Sequence, residues 1–157
     1  MNWIQYIEQL DLADDDYSYD FNLPASDRVL QNLKAQFKLN ELPGELEELY
    51  KQSNGISEKL RGRTIGEAIW SVEEVIKQNI EFRSLTAFRQ LYMSFDQLLF
   101  IGGIGNGDLY GYRVLYGNFN ASDIYLWNHE NDNRTCIVPD LASFIVWRTN
   151  PLLSEGL

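Results

Sequence analysis

Apolar residues recur along this chain with two different periods, and the change of period divides it into parts. Trp3, Ile4, Ile7 and Leu10 stand at helical spacing and predict a short amphipathic helix over residues 2–12, ended by Asp14, Asp15 and Asp16. The segment from Asp11 to Pro24 is polar and acidic, with Tyr17, Tyr19 and Phe21 set into it, and reads as a loop pinned by aromatic anchors. Ser26 or Asp27 is suited to cap a second helix carrying Val29, Leu30, Leu33 and Phe37 on one side, ending near Asn40. Pro43 suits the first turn of a third helix, where its missing N–H costs nothing and Glu45, Glu47 and Glu48 lie near the positive end of the dipole. Leu46, Leu49 and Tyr50 face the core, and Asn54-Gly55 tolerates a left-handed stop.

Beyond a basic, glycine-bearing loop at Lys59 to Arg63, Ile65 to Trp70 reads as a strand. Ser71 opens a fourth helix with Glu74 placed to complete a capping box and Val72, Val75 and Ile76 on its apolar side. Residues 81–96 fit either a short helix or an ordered loop. Gln97 to Ile104 and Asp108 to Tyr116 are β-rich runs around Gly105, Asn106 and Gly107, a strong hairpin signal because Asn-Gly accepts positive φ. Ile124 to Trp127 and Thr135 to Val138 make a second pair. Asp140 caps a closing helix with Leu141, Phe144, Ile145 and Trp147 inward, stopped by Asn150-Pro151. Helices, then hairpin-linked strands, then a helix predict an α+β fold with a mostly antiparallel sheet flanked by helices. The 157 residues are expected to form one domain, with a helical part at 1–55, a strand-rich part at 56–139 and the last helix at 140–150.

Composition narrows the function more than the fold. A hydrophobic fraction of 45% is too high for a disordered chain. A formal charge of −10 repels phosphate backbones and anionic lipid heads, so direct binding to nucleic acid or to a membrane surface is disfavoured. The single cysteine, Cys136, allows no internal disulfide and no thiolate-rich metal site, which fits a reducing compartment. The N-terminus lacks a basic and apolar signal segment, and nowhere do about 18 apolar residues follow one another, so a cytoplasmic protein is expected.

The motifs carry little chemistry. Gly102 to Asp108 has neither the Lys-Ser/Thr pair of a phosphate loop nor the spacing of a dinucleotide fingerprint, and Asp108 would put negative charge where phosphate should lie. Asn128, Glu130 and Asp132 alternate like the opening of a calcium loop, but no glycine follows at the bend and Pro139 stands where the closing carboxylate should be. His129 is the sole histidine, and a hydrolase trio with Glu130 and Ser122 lacks a nucleophile elbow. No catalytic residue, metal or cofactor is expected. The tryptophans fill the core, with Trp127 open to a second reading as a partly exposed anchor beside the polar turn.

The wording LPGELEELYKQSNG at Leu42–Gly55, IWSVEEV at Ile69–Val75, LLFIGGIGNGDLYGY at Leu98–Tyr112, IYLWNHE at Ile124–Glu130 and Ser143-Phe144 follows one family's order. The chain resembles the SUKH superfamily, whose founder is the fungal cell-wall regulator Smi/Knr and whose bacterial members are mostly immunity proteins against secreted toxins. Asn128 departs from the acidic residue often found there. The resemblance implies a SUKH fold and a non-catalytic protein that binds and neutralises the catalytic domain of a cognate toxin, such as a nuclease; the alternative is a regulatory protein-binding scaffold like the fungal founder. On that reading the partner-binding residues are Asp108, Trp127, His129, Glu130 and Asp132, with Asp108 equally suited to bracing its own hairpin.

Overall fold

The computed structural model describes residues 1–12 and 15–149. The first helix, α1 (Trp3–Glu8), is shorter than its apolar pattern; Asn2 caps it, accepting from the Gln5 N–H at 3.0 Å, and its last turn tightens into a Leu10 N–H to Ile7 carbonyl bond. The segment expected as a loop holds a strand instead, β1 (Tyr17–Phe21), so the part at 1–55 is not purely helical. Tyr17, Tyr19 and Phe21 are its half-buried side while Ser18 and Asp20 face water, a period of two hidden by the acidic surroundings.

Helices α2 (Asp27–Gln36) and α3 (Gly44–Tyr50) follow the expected pattern. Ser26 Oγ accepts from Val29 N–H, and Leu30, Leu33, Leu46, Leu49 and Tyr50 are buried. Pro43 sits one place earlier than expected, as the residue preceding the first turn. The supposed loop at 59–63 is a tight hairpin: β2 (Ile56–Leu60) and β3 (Arg63–Ile69) join through Arg61 and Gly62, both with positive φ. Two left-handed residues match the twist of the strands they connect. Next, α4 (Val72–Ser84) is capped by Ser71, whose Oγ accepts from Glu74 N–H, and Glu74 turns its carboxylate to Gln78 rather than back to the cap. The open stretch at 81–96 resolves into the end of α4, α5 (Thr86–Leu91) and a loop. β4 (Leu98–Gly103), β5 (Leu109–Arg113), β6 (Ile124–Trp127), β7 (Arg134–Val138) and α6 (Leu141–Thr149) complete the order. Asp140 accepts from Ser143 N–H at the start of α6; the stop expected at Asn150-Pro151 lies outside the described residues.

The strands form two antiparallel sheets, β1-β2-β3 and β4-β5-β6-β7, rather than one. With the helices this is the α+β class expected. Leu99, Ile101, Tyr110, Tyr112, Ile124 and Leu126 point from the larger sheet into the main core. Leu98, Phe100, Leu109 and Trp127 alternate with them and point the other way, into an aromatic cluster with Phe95, Phe82, Phe88 and Tyr92. β4 is therefore buried on both faces, which explains its unbroken apolar wording.

As an edge strand buried on both faces, β4 must have its outward backbone groups satisfied by something other than water. Asn79, on the inner side of α4, supplies what a neighbouring strand would: Oδ1 accepts from Phe100 N–H at 2.9 Å and Nδ2 donates to Phe100 carbonyl at 2.8 Å. Arg83 donates to the Leu98 carbonyl at 2.9 Å. A bulge at Ile101 turns its carbonyl outward, where Trp70 N–H reaches it at 2.8 Å and joins the two sheets.

Asn79→Ala removes the pairing of Phe100 and leaves a buried N–H and C=O without partners. A loss of roughly 2–4 kcal/mol is expected from urea unfolding, with faster exchange of the Phe100 amide. A variant within about 0.5 kcal/mol of the parent would show that this side chain does not hold the edge.

Candidate functional site

The tip of the β4–β5 hairpin and the turn between β6 and β7 are built as one unit. The hairpin closes with Ile104 N–H on the Asp108 carbonyl at 3.2 Å, and positive φ falls on Gly105 and Gly107, not on Asn106. Asn106 contributes through its side chain, whose Oδ1 accepts from Asp108 N–H at 2.9 Å. Asp108 is only 7% exposed. Its Oδ1 accepts from the His129 N–H at 3.0 Å and lies 2.6 Å from His129 Nδ1, so it clamps the end of β6 to the hairpin and is not a free contact on the surface. A Cβ at Gly107 would come 3.0 Å from the His129 ring, which explains a glycine beneath it.

Trp127 is 2% exposed, so the partly open anchor is corrected: the ring belongs to the aromatic cluster. Burial is tolerable because its N–H is satisfied, Nε1 donating to Asp132 Oδ1 at 2.7 Å, while Phe82, Tyr92 and Phe95 pack edge-on against the ring. Asp132, itself at positive φ, also accepts from Met93 N–H at 2.9 Å and from Arg134 at 3.1 Å. Burial pushes its carboxyl up, but the Met93, Trp127 and Arg134 hydrogen bonds and the Arg134 charge outweigh that and hold it below the usual carboxylate range. Asn128 Oδ1 accepts from Glu130 N–H, so two of the three calcium-like side chains are committed to the turn itself. Of the five residues singled out, His129, with 37% of its side chain exposed, and Glu130 reach the surface, and Asp108, Trp127 and Asp132 hold them in place.

An Asp–His pair is two-thirds of a hydrolytic triad, but no serine, threonine or cysteine side chain bonds to the other ring nitrogen among the described residues. Cys136 is exposed on β7, where burial of its sulfur and the Asp123 charge push its thiol up and away from reactivity. Among the described residues no group of three or more His, Cys, Asp or Glu side chains could hold a metal ion, and no helix is long and apolar enough to cross a membrane.

Below the hairpin tip lies a cleft of about 700 Å³, bounded by β3, the hairpin and α6 and walled in part by Glu58, Ile65, Glu67, Trp70, Asp108 and Arg148. Glu58 is 4% exposed and accepts from Arg148 at 2.6 Å and from the Tyr17 hydroxyl. Burial, with Tyr19 and Glu58 adding to it, pushes the Tyr17 hydroxyl far up, so it stays a neutral donor. Glu67 forms no ion pair among the described residues, and burial together with the Glu74 charge raises its carboxyl. Sequence reasoning missed this buried pair because β2 was read partly as loop. The available signal was the alternation Ile56, Glu58, which puts a carboxylate in the inward phase and demands a cationic partner.

The family model described as SMI1 / KNR4 family (SUKH-1) matches residues 24–147, more than half of the chain. No curated protein matches it significantly.

Two outcomes test this geometry. The depressed carboxyl of Asp132 contributes fully above the unfolded value of about 3.9 and less as pH falls through its lower folded value. Asp132→Asn should therefore cost about 1–2 kcal/mol near neutral pH and progressively less in acid, and a cost independent of pH would contradict the assignment. Arg148→Met strands Glu58 and should cost about 3–5 kcal/mol in denaturant melts, whereas adding Glu58→Leu should recover much of it.

Proposed function

The chain belongs to the SMI1/KNR4 (SUKH-1) family, and on that premise we propose that it is an immunity protein, binding and neutralising the catalytic domain of a cognate bacterial toxin. The observation that carries this reading is a formal charge of −10 on a molecule whose polar rim is fixed in advance by Asp108 and Asp132. A nuclease must present a positive surface to attract phosphates, and an acidic inhibitor exploits the same field for fast encounter. His129 and Glu130 supply polar contacts at the rim, and the rigid placement of their backbone lowers the ordering cost of binding. The protein performs no bond-making of its own; it acts in the cytoplasm through a protein partner, with no cofactor and without touching nucleic acid or membrane.

The decisive experiment co-expresses the protein with the toxin domain encoded beside it. Survival of the host and co-elution of the two chains are expected. Association should slow by about tenfold or more as salt shortens the Debye length from about 30 Å to about 10 Å, and Glu130→Lys should slow it at low salt. Loss of viability together with separate elution would remove the reading.

A further inference from the structure

The cleft lies where two sheet edges part. β3 ends its sheet and β4 ends the other, and Trp70 N–H on the Ile101 carbonyl ties them at one point. From that tie, Ile65, Gly66 and Glu67 run along one wall, and Gly103, Ile104 and Gly105 run along the other. The helix side chains that seal the β4 edge reach Leu98 and Phe100, short of this region. The β3 wall is exposed from Arg63 to Glu67, and Ile65 is 57% exposed.

Glycines shape both walls. A Cβ at Gly66 would meet nothing within 4 Å, so the chain's own packing does not demand that glycine, whereas Gly105 serves the positive φ of the hairpin turn. Bare backbone along an open strand edge is the surface on which an added strand pairs. Among the side chains that line the cleft, carboxylates outnumber cations. Arg148 is committed to Glu58 and His129 to Asp108, Arg63 lies at the start of β3 outside the cleft lining, and Glu67 forms no ion pair among the described residues. At about 700 Å³ the space falls in the range of ligand clefts, about 300–1,000 Å³.

From these observations we infer that the cleft receives an extended segment of the partner protein bearing lysine or arginine, which adds as a strand to the β3 edge and sets a cation against Glu67. This deepens the protein-binding reading and rests on it. The main chain of the segment supplies affinity through edge hydrogen bonds, its apolar side chains cover Ile65 and Trp70, and alternate basic side chains choose the orientation. A cation beside Glu67 offsets the burial and the Glu74 repulsion that raise its carboxyl.

The probe is a labelled peptide alternating lysine and valine, compared with one carrying proline at its centre and one with glutamate for lysine, against the whole protein and its Gly66→Val and Glu67→Lys variants. Gly66→Val has room for its side chain and should melt as the parent does. Binding of the basic peptide is expected, with new protection from amide exchange at residues 63–67, a loss of about tenfold in each variant and no binding of the other two peptides. No binding of the basic peptide, protection elsewhere, equal binding of the proline peptide or an unaffected Gly66→Val would overturn the inference. If the neighbouring toxin domain co-elutes undiminished with Gly66→Val, the cleft inference fails and the immunity reading stands. If no form binds that toxin domain while the peptide results hold, the reverse applies.

Discussion

Everything in this fold is arranged around satisfying the outer edge of β4. A strand with apolar residues on both faces cannot turn to water for its outward N–H and C=O groups, and each unmet group costs about 1–3 kcal/mol. The chain meets the demand with a helix. Asn79 stands in for the missing strand at Phe100, and Arg83, four residues further along the same face, takes the Leu98 carbonyl. Fixing α4 at those points also places Phe82 over the ring of Trp127, so the aromatic cluster is assembled by the same docking. The helix starts at Ser71, immediately after Trp70, whose own N–H closes the last sealed position of the edge. The helix begins beside Ile101 and runs back along β4 toward Leu98, so past Ile101 the edge has no helix beside it. The cleft is thus what remains of the edge once α4 has covered all it can.

The point where the sheets meet is held from several sides. The Ala68 carbonyl accepts from the Tyr110 hydroxyl, the Trp70 carbonyl from the Tyr50 hydroxyl, and Trp70 N–H binds Ile101. Burial pushes both tyrosine hydroxyls well above their ordinary range, which keeps them neutral donors. Close approach of the strands completes the arrangement. A Cβ on Gly111 would lie 2.0 Å from the Leu99 carbonyl oxygen, and one on Gly102 would enter the Tyr110 ring. These two glycines are required by packing, unlike Gly66, and the contrast separates structural glycines from those that merely leave backbone open.

The legible parts of the sequence were those where one local signal decides. Caps at Ser26, Ser71 and Asp140, the helical spacing of α2, α3 and α6, and the glycine tip of the β4–β5 hairpin each act over a few residues. The strands β1 and β2 escaped because their polar residues belong there for nonlocal reasons: Glu58 is inward only because Arg148, ninety residues away, meets it. Asn79 looks like a surface residue of a helix until the edge it serves is known. Trp127 was read as core with a partly open anchor as the second reading, and the structure selects the core; its N–H partner was not legible, since Asp132 lies across a turn whose left-handed residue is Asp132 itself rather than a glycine. Asp108 was read as a partner contact or as a brace within its own hairpin; its carboxylate instead accepts from the His129 N–H and ties the hairpin to the end of β6.

The same economy bears on how such a molecule can bind. Asp108 and Asp132 commit their carboxylates to His129 and to Trp127, Met93 and Arg134, so they fix the backbone of the rim and are not free charges at its surface. A rim whose backbone is ordered in advance avoids the entropy loss of ordering it on contact. Tyr92 adds to the rigidity by donating its hydroxyl to the His129 carbonyl, tying the rim to the loop after α5 and through it to the aromatic cluster. Two adjoining sets of bonds thus build the rim: Asp132 satisfies the buried Trp127 N–H, while Asp108, Asn128 and Tyr92 set His129 and Glu130 at the surface.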